Sequence, residues 1–117
     1  MYTIETELML DMVVFRITGK ILLPNAIQFL EEISTIFNGT KVYEGCLDLS
    51  KVEKMDNSGL GALVSLSDKF IKQGRYISLY NPTPEIQQLI KSVGIEKFFT
   101  IYDNEQELKN HSLHEGA

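Results

Sequence analysis

Hydrophobic and polar positions along the chain follow two periods, one typical of strands and one typical of helices. Apolar, β-branched and aromatic runs predict strands at 12–18, 45–49, 76–80 and 98–102, with a weaker strand or arm within 1–11. Apolar residues three or four positions apart predict helices at 24–38, from about Leu60 to Gln73, and at 84–93. A polar helix is predicted from 103 to about 113, and residues 112–117 are expected to fray.

The order of these elements predicts an α/β fold. Strand, strand, helix and then three strand–helix units favour helices packed on a mixed, mostly parallel sheet of four to five strands with about four helices. In the first helix, Ile27, Leu30, Ile33 and Phe37 are predicted to share the buried face. We see no linker or repeat, so residues 1–117 are interpreted as one domain.

Composition narrows the classes of function. The 117 residues are 44% hydrophobic and carry a net charge of −5, which argues against a uniformly basic surface that binds nucleic acid directly. One cysteine, Cys46, excludes an internal disulfide, and we interpret it as a small core residue. The chain shows no signal peptide and no apolar stretch that could span a bilayer. We therefore expect a cytoplasmic protein that meets membranes, if at all, as a peripheral partner.

Motifs for catalysis, metals and cofactors are weak. His111 and His114 lie three apart, which suits chelation, but two histidines near a chain end are poor evidence for a metal site. Gly59 and Gly61 lack the third glycine of a dinucleotide fingerprint, and no Walker motif is present. No catalytic triad can be proposed from the spacing. We predict no enzyme, no metal and no cofactor.

The segment 55–61, MDNSGLG, holds the candidate chemistry. It follows a buried strand and precedes a helix, and function tends to lie at the carboxyl ends of parallel strands. Ser58 is expected at or beside the helix N-cap, where a capping role alone would contribute about 1 kcal/mol. Gly59 and Gly61 would instead let another protein reach the hydroxyl. An added phosphate would bring about −1.5 to −2 charges, close to amide groups that can hold it.

The other residues of this segment have structural and functional interpretations. Asp56 either bonds its own backbone in a turn or shapes the loop and orients the Ser58 hydroxyl. Asn57 tolerates unusual backbone angles and is expected to serve the loop shape. Met55 is interpreted as a core or rim residue.

At this point the sequence resembles the STAS domain, the family of sulphate transporters and anti-sigma factor antagonists. The resemblance is carried by residues 47–74, LDLSKVEKMDNSGLGALVSLSDKFIKQG, and extends in element order over nearly the whole chain. Asp48-Leu49, Val52 and residues 55–61 match the family pattern, with Asn57 where the family has its first serine. The resemblance implies that Ser58 is the phosphoacceptor. It also implies partner switching with an anti-sigma factor serine kinase and a serine phosphatase.

The chain departs from the family pattern near the end of the second strand. Many relatives have Gly-Glu-Leu-Asp there, whereas this chain reads Gly-Lys-Ile-Leu-Leu from Gly19. Leu22, Leu23 and Pro24 are therefore candidates for an apolar partner contact, together with Leu60. Lys54 also replaces a commonly apolar position.

Two classes of function remain at this point. The first is an anti-sigma factor antagonist that binds the kinase and releases the sigma factor until Ser58 is phosphorylated. The second, implied by other family members, is an accessory subunit of a membrane complex that transports lipids or anions. The sequence does not fix the oligomeric state and leaves a homodimer open.

Overall fold

Five strands and four α-helices follow one another in the computed structural model, which describes residues 1–9 and 11–116, with side chains up to Asn110. The strands are β1 (Tyr2–Met9), β2 (Met12–Ile21), β3 (Glu44–Met55), β4 (Tyr76–Tyr80) and β5 (Thr100–Tyr102). The helices are α1 (Ala26–Asn38), α2 (Asn57–Ile71), α3 (Pro84–Val93) and α4 (Glu105–Gly116), and short 3-10 turns lie at Leu23–Asn25 and Glu96–Phe98.

The sheet has the strand order β1-β2-β3-β4-β5, so each strand lies beside its neighbour in sequence. β1 pairs antiparallel with β2, and the remaining neighbours are parallel. Each of α1, α2 and α3 connects one parallel strand to the next strand in the same direction across the sheet. Because such connections have the same right-handed sense, the three helices lie on one face of the sheet. The opposite face, which we call the free face, is partly covered by α4. The predicted mixed α/β fold is confirmed.

The main core lies between the sheet and α1, α2 and α3. Its centre is aromatic: the Phe37 ring lies 6.3 Å from the Phe15 ring and 4.6 Å from the Phe70 ring. Because α1 must present Phe29 and Phe37 to this core, its buried face is rotated from the predicted one. Ile27, predicted to be buried, is 70% exposed, and this is a correction to the sequence analysis.

A smaller cluster lies on the free face, where Leu108 of α4 packs on the sheet. Cys46 belongs to it and is fully buried, as its apolar surroundings predicted. Burial raises the pKa of this thiol to about 12, so it stays protonated. Beside it, the buried Glu44 carboxylate accepts hydrogen bonds from the hydroxyls of Tyr76, Ser78 and Tyr102, which belong to β4 and β5.

Two strands differ in length from the prediction. β3 continues to Met55, six residues beyond the predicted end, because the polar stretch after Leu49 still pairs with β2. β5 is short, because residues 96–98 form a 3-10 turn. Ala117 and the side chains of His111 and His114 lie outside the described residues, so the frayed end at 112–117 stays a prediction.

Candidate functional site

Ser58 lies where β3 passes into α2, at the edge of the sheet formed by the carboxyl ends of the parallel strands. It is the second residue of α2 and partly exposed, and its hydroxyl makes no hydrogen bond to any described residue. The helix cap is Asp56, whose backbone is extended at φ −111° and ψ −171°. Ser58 therefore does not cap the helix, and its hydroxyl is available to another molecule.

Asp56 holds two segments together through its carboxylate. Oδ1 accepts a hydrogen bond from the backbone N–H of Gly59 at 3.0 Å, and Oδ2 accepts one from the N–H of Leu23 at 2.9 Å. The first bond caps α2, and the second ties the 3-10 turn after β2 to the start of the helix. These bonds, led by the one from Gly59, lower the pKa of the Asp56 carboxyl. Asp56 thus bonds nearby backbone and also ties the loop to the turn after β2, which fits both interpretations, and it makes no hydrogen bond to the Ser58 hydroxyl in the described part of the chain.

The lowered pKa predicts a pH-dependent contribution to stability. A carboxyl whose pKa is lower in the folded state stabilises the fold fully above its unfolded pKa of about 3.9, and this contribution is lost as the pH falls through the folded pKa. We expect Asp56→Ala to unfold at a lower urea concentration than the wild type at pH 7, and this difference to shrink as the pH falls below about 4. Urea titrations followed by circular dichroism at pH 7 and pH 3 measure it.

Asp68→Ala is the matched control, since the exposed Asp68 carboxylate forms an ion pair with the exposed ammonium of Lys72, at 3.1 Å, and caps no helix. Its urea midpoint at pH 7 should change less than that of Asp56→Ala. An equal loss in both variants at pH 7 would contradict the capping role of Asp56.

The turn after β2 is held rigidly beside Ser58. The Asn25 side chain donates from Nδ2 to the carbonyl oxygen of Lys20 at 3.0 Å and accepts through Oδ1 from the N–H of Leu22 at 2.9 Å. Leu23 is 71% exposed and Pro24 is also exposed, whereas Leu22 is partly buried. The structure thus brings the predicted residues 22–24 to the edge where Ser58 lies.

Ile27 extends this apolar surface and was missed by the sequence analysis. It follows Leu23 by four positions and is equally exposed, and we call Leu23 and Ile27 together the apolar patch. The signal was present in the sequence, since residues four apart lie on one side of a helical segment. We overlooked this signal because Ile27 also fits the helical spacing of the apolar residues that were predicted to be buried.

Leu60 and Gly59 have roles other than those predicted, whereas Gly61 leaves the surface open. Leu60 is 4% exposed and packs in the main core, which corrects the expectation that its side chain faces a partner. A Cβ atom on Gly59 would lie 2.5 Å from Cγ of Met55 and 2.7 Å from the carbonyl oxygen of Ile21. Gly59 therefore allows α2 to approach the sheet closely. Gly61 is exposed and would meet nothing within 4 Å, so only this glycine leaves the surface open.

Asn57 also has an ordinary backbone. It is exposed and begins α2, and the non-glycine residue with a positive φ among those described is Asn81, at 48°. The expectation that Asn57 serves through unusual backbone angles is wrong. Asn57 does remove one hydroxyl from the loop, so Ser58 is the single hydroxyl between Met55 and Gly61.

The described residues supply no catalytic partner for the Ser58 hydroxyl. In the part of the chain that the structure describes, no side chain bonds the Ser58 hydroxyl to activate it, and no three His, Cys, Asp or Glu side chains are grouped to hold a metal ion. A hydroxyl in this setting needs a base supplied by another molecule before it can attack a phosphoryl group. Within the described residues, we also find no helix long and apolar enough to cross a bilayer.

Comparison with known proteins identifies the family and the fold. The model of the STAS domain matches residues 3–108. An anti-sigma factor antagonist from Mycobacterium paratuberculosis is 21% identical with a TM-score of 0.80, over 98% of this chain and 93% of that one. The anti-sigma factor antagonist SpoIIAA in its unphosphorylated form is 19% identical with a TM-score of 0.76, over 96% and 97%.

A transporter also contains this fold. The murine anion transporter Slc26a9 is 17% identical to this chain with a TM-score of 0.80, over 92% of this chain but only 18% of its own. At these identities, the similarity of the solved structures establishes the fold.

Proposed function

This chain belongs to the STAS domain family, and we propose that it is an anti-sigma factor antagonist controlled by phosphorylation of Ser58. Unphosphorylated, it binds an anti-sigma factor serine kinase and causes release of the sigma factor. The kinase phosphorylates Ser58 and the complex separates, and a serine phosphatase restores the binding form. The protein itself is a binding partner rather than an enzyme.

The observation that carries this proposal is the unbonded, partly exposed hydroxyl of Ser58 beside an exposed apolar patch. Two of the similar structures are of SpoIIAA in its unphosphorylated and phosphorylated forms, so a domain of this shape can carry the modification. Leu23 and Ile27 offer an apolar contact to a partner that reaches Ser58, and the bond from Leu23 to Asp56 fixes part of that contact in advance.

A phosphate on Ser58 would oppose binding by its charge. It would stand beside the Asp56 carboxylate, which is ionised at neutral pH and whose pKa the bond from the N–H of Gly59 lowers further. The N–H of Gly59 is already bonded to Asp56 and is less available to neutralise the phosphate. Covering two neighbouring anions with an apolar partner surface costs desolvation energy, so the modified form should dissociate.

The test is phosphorylation by the kinase encoded beside this gene. After incubation with that kinase and ATP, mass spectrometry should find one phosphate on Ser58 and none on Ser58→Ala. Ser65→Ala is the matched control, because Ser65 is exposed on the same helix, and it should be modified like the wild type. Absence of phosphate on Ser58, or full modification of Ser58→Ala, would contradict the proposal.

A second candidate function is an accessory subunit of a membrane transport complex. The observation in its favour is the similarity to the murine anion transporter, in which the matching part is a fraction of a longer chain. In this function Ser58 would support docking without a kinase. Copurification of the wild type with a permease and an ATPase, in cells that lack the cognate kinase, would favour this candidate over the antagonist.

A further inference from the structure

We infer that Lys20 and Lys54 form a cationic pair that binds an acidic segment of the partner protein. This inference rests on the proposed function, because it assigns the chemistry of the partner at the same edge of the sheet. The Lys20–Lys54 pair, together with the apolar patch, would set which partners can bind.

The register of the sheet brings the two lysines together. Lys20 of β2 is the direct partner of Lys54 of β3, and the next pair is Ile21 with Met55. Neighbouring strands lie about 4.8 Å apart, so the two side chains leave the sheet side by side. Ile21 and Met55 face α2, since both would contact a Cβ on Gly59. Because alternate strand residues point to opposite faces, Lys20 and Lys54 project from the free face.

The two ammonium groups are not neutralised within the described part of the chain. Both lysines are exposed, and the salt bridges of the described residues use Arg16 and Lys72 instead. Like charges at directly paired positions of a sheet destabilise it. Lys20 and Lys54 thus place two positive charges side by side in a chain whose net charge is −5. A binding role would explain why the pair occurs near the ends of β2 and β3 despite this cost.

The surroundings identify the occupant as a protein segment with carboxylates. The carbonyl oxygen of Lys20 and the N–H of Leu22 are both bonded by the Asn25 side chain, so Lys20 and Leu23 flank one turn with a fixed shape. A partner segment that crosses this edge of the sheet, with acidic residues over the free face and apolar residues over the apolar patch, would contact both. A polyanion such as RNA would instead meet the repulsion of an acidic chain and gain nothing from Leu23.

The experiment compares two double variants with equal net charge against the cognate kinase. Lys20→Glu/Lys54→Glu reverses the pair, and Lys41→Glu/Lys91→Glu reverses two exposed lysines elsewhere. By titration calorimetry at 50 mM and 300 mM NaCl, we expect the first variant to bind at least tenfold more weakly at low salt, and its affinity to depend less on salt. The second variant should stay within threefold of the wild type.

A stability measurement separates binding from folding. The single variant Lys20→Glu places opposite charges at the paired positions, so its urea midpoint should rise while its affinity for the kinase falls. Equal weakening in both double variants, or no weakening in the first, would overturn the inference. Binding of the wild type but not of Lys20→Glu/Lys54→Glu to RNA or to anionic vesicles would overturn the assignment of a protein segment.

The same experiments distinguish failure of the inference about the lysine pair from failure of the proposed function. If the wild type binds the kinase and is phosphorylated on Ser58 while the lysine variants behave like it, the inference about Lys20 and Lys54 fails and the antagonist role stands. If the wild type neither binds nor is phosphorylated, both fail.

Discussion

Ser58→Asp is expected to bind the cognate kinase at least about tenfold more weakly than the wild type, while keeping its fold. A tenfold change corresponds to about 1.4 kcal/mol, and burying an unpaired carboxylate in an interface costs at least that much. The new carboxylate would lie near Asp56, so a partner surface would have to cover two anions instead of one. The measurement is titration calorimetry, with circular dichroism to compare the folds.

Ser58→Asn is the matched control, because asparagine has the shape of aspartate without its charge. We expect Ser58→Asn to bind more tightly than Ser58→Asp by several-fold, and Ser58→Ala to bind close to the wild type. Equal affinities for the Asp and Asn variants would show that bulk rather than charge controls binding. That result would contradict the electrostatic account of the phosphorylation switch.

Gly59→Ala is expected to destabilise the fold by about 1–3 kcal/mol, the range typical of overpacking. A methyl group at this position would lie 2.7 Å from the carbonyl oxygen of Ile21, which belongs to the sheet backbone and has little room to move. Either α2 shifts outward or β2 bends, and both disturb the bonds of Asp56 to Gly59 and Leu23. Urea denaturation followed by circular dichroism measures the loss.

Gly61→Ala, in the same helix, is expected to stabilise the fold rather than destabilise it. Its Cβ atom would meet nothing within 4 Å, so the substitution gains helix propensity of about 0.5–1 kcal/mol without a clash. We expect its urea midpoint to rise above that of the wild type. A loss in Gly61→Ala as large as that in Gly59→Ala would mean that helix packing does not distinguish the two positions.

Much of the fold follows from local patterns in the sequence. β4 (Tyr76–Tyr80) and α3 (Pro84–Val93) were predicted with their observed bounds, because each has unambiguous ends. In α3 the Thr83 hydroxyl accepts from the N–H of Ile86 at 3.3 Å, and Gly94 ends the helix in the left-handed region at φ 73°. These are interactions between residues close in the chain, and a sequence pattern can reveal them.

What the sequence did not predict depends on contacts between distant segments. The burial of Leu60 and the exposure of Ile27 both follow from how a helix is rotated on the sheet, which no single helix pattern determines. The pairing of Lys20 with Lys54 depends on the register shifts between β2 and β3. Arg75 likewise gave no signal, yet its guanidinium donates to the carbonyl oxygens of Phe37 and Val42.

In the candidate site too, the sequence predicted local features but not the contacts between distant segments. The sequence identified residues 55–61 and 22–24 as the relevant segments, and the structure brings both to one edge of the sheet. It could not show that Asp56 joins the two, because that bond spans 33 positions. Nor could it separate the two glycines, since the difference between Gly59 and Gly61 lies in what each one faces.

The Glu44 carboxylate and its three hydroxyl donors also protect the chain from misassembly. Gly45, the next residue, faces the rings of Phe15 and Phe37 on the other side of the sheet. If β3 slipped by one position, Glu44 would enter that aromatic interior and lose Tyr76, Ser78 and Tyr102 together. Such a slip would therefore bury the polar carboxyl group of Glu44 among aromatic rings without its hydroxyl donors, which favours a single alignment of the central strands.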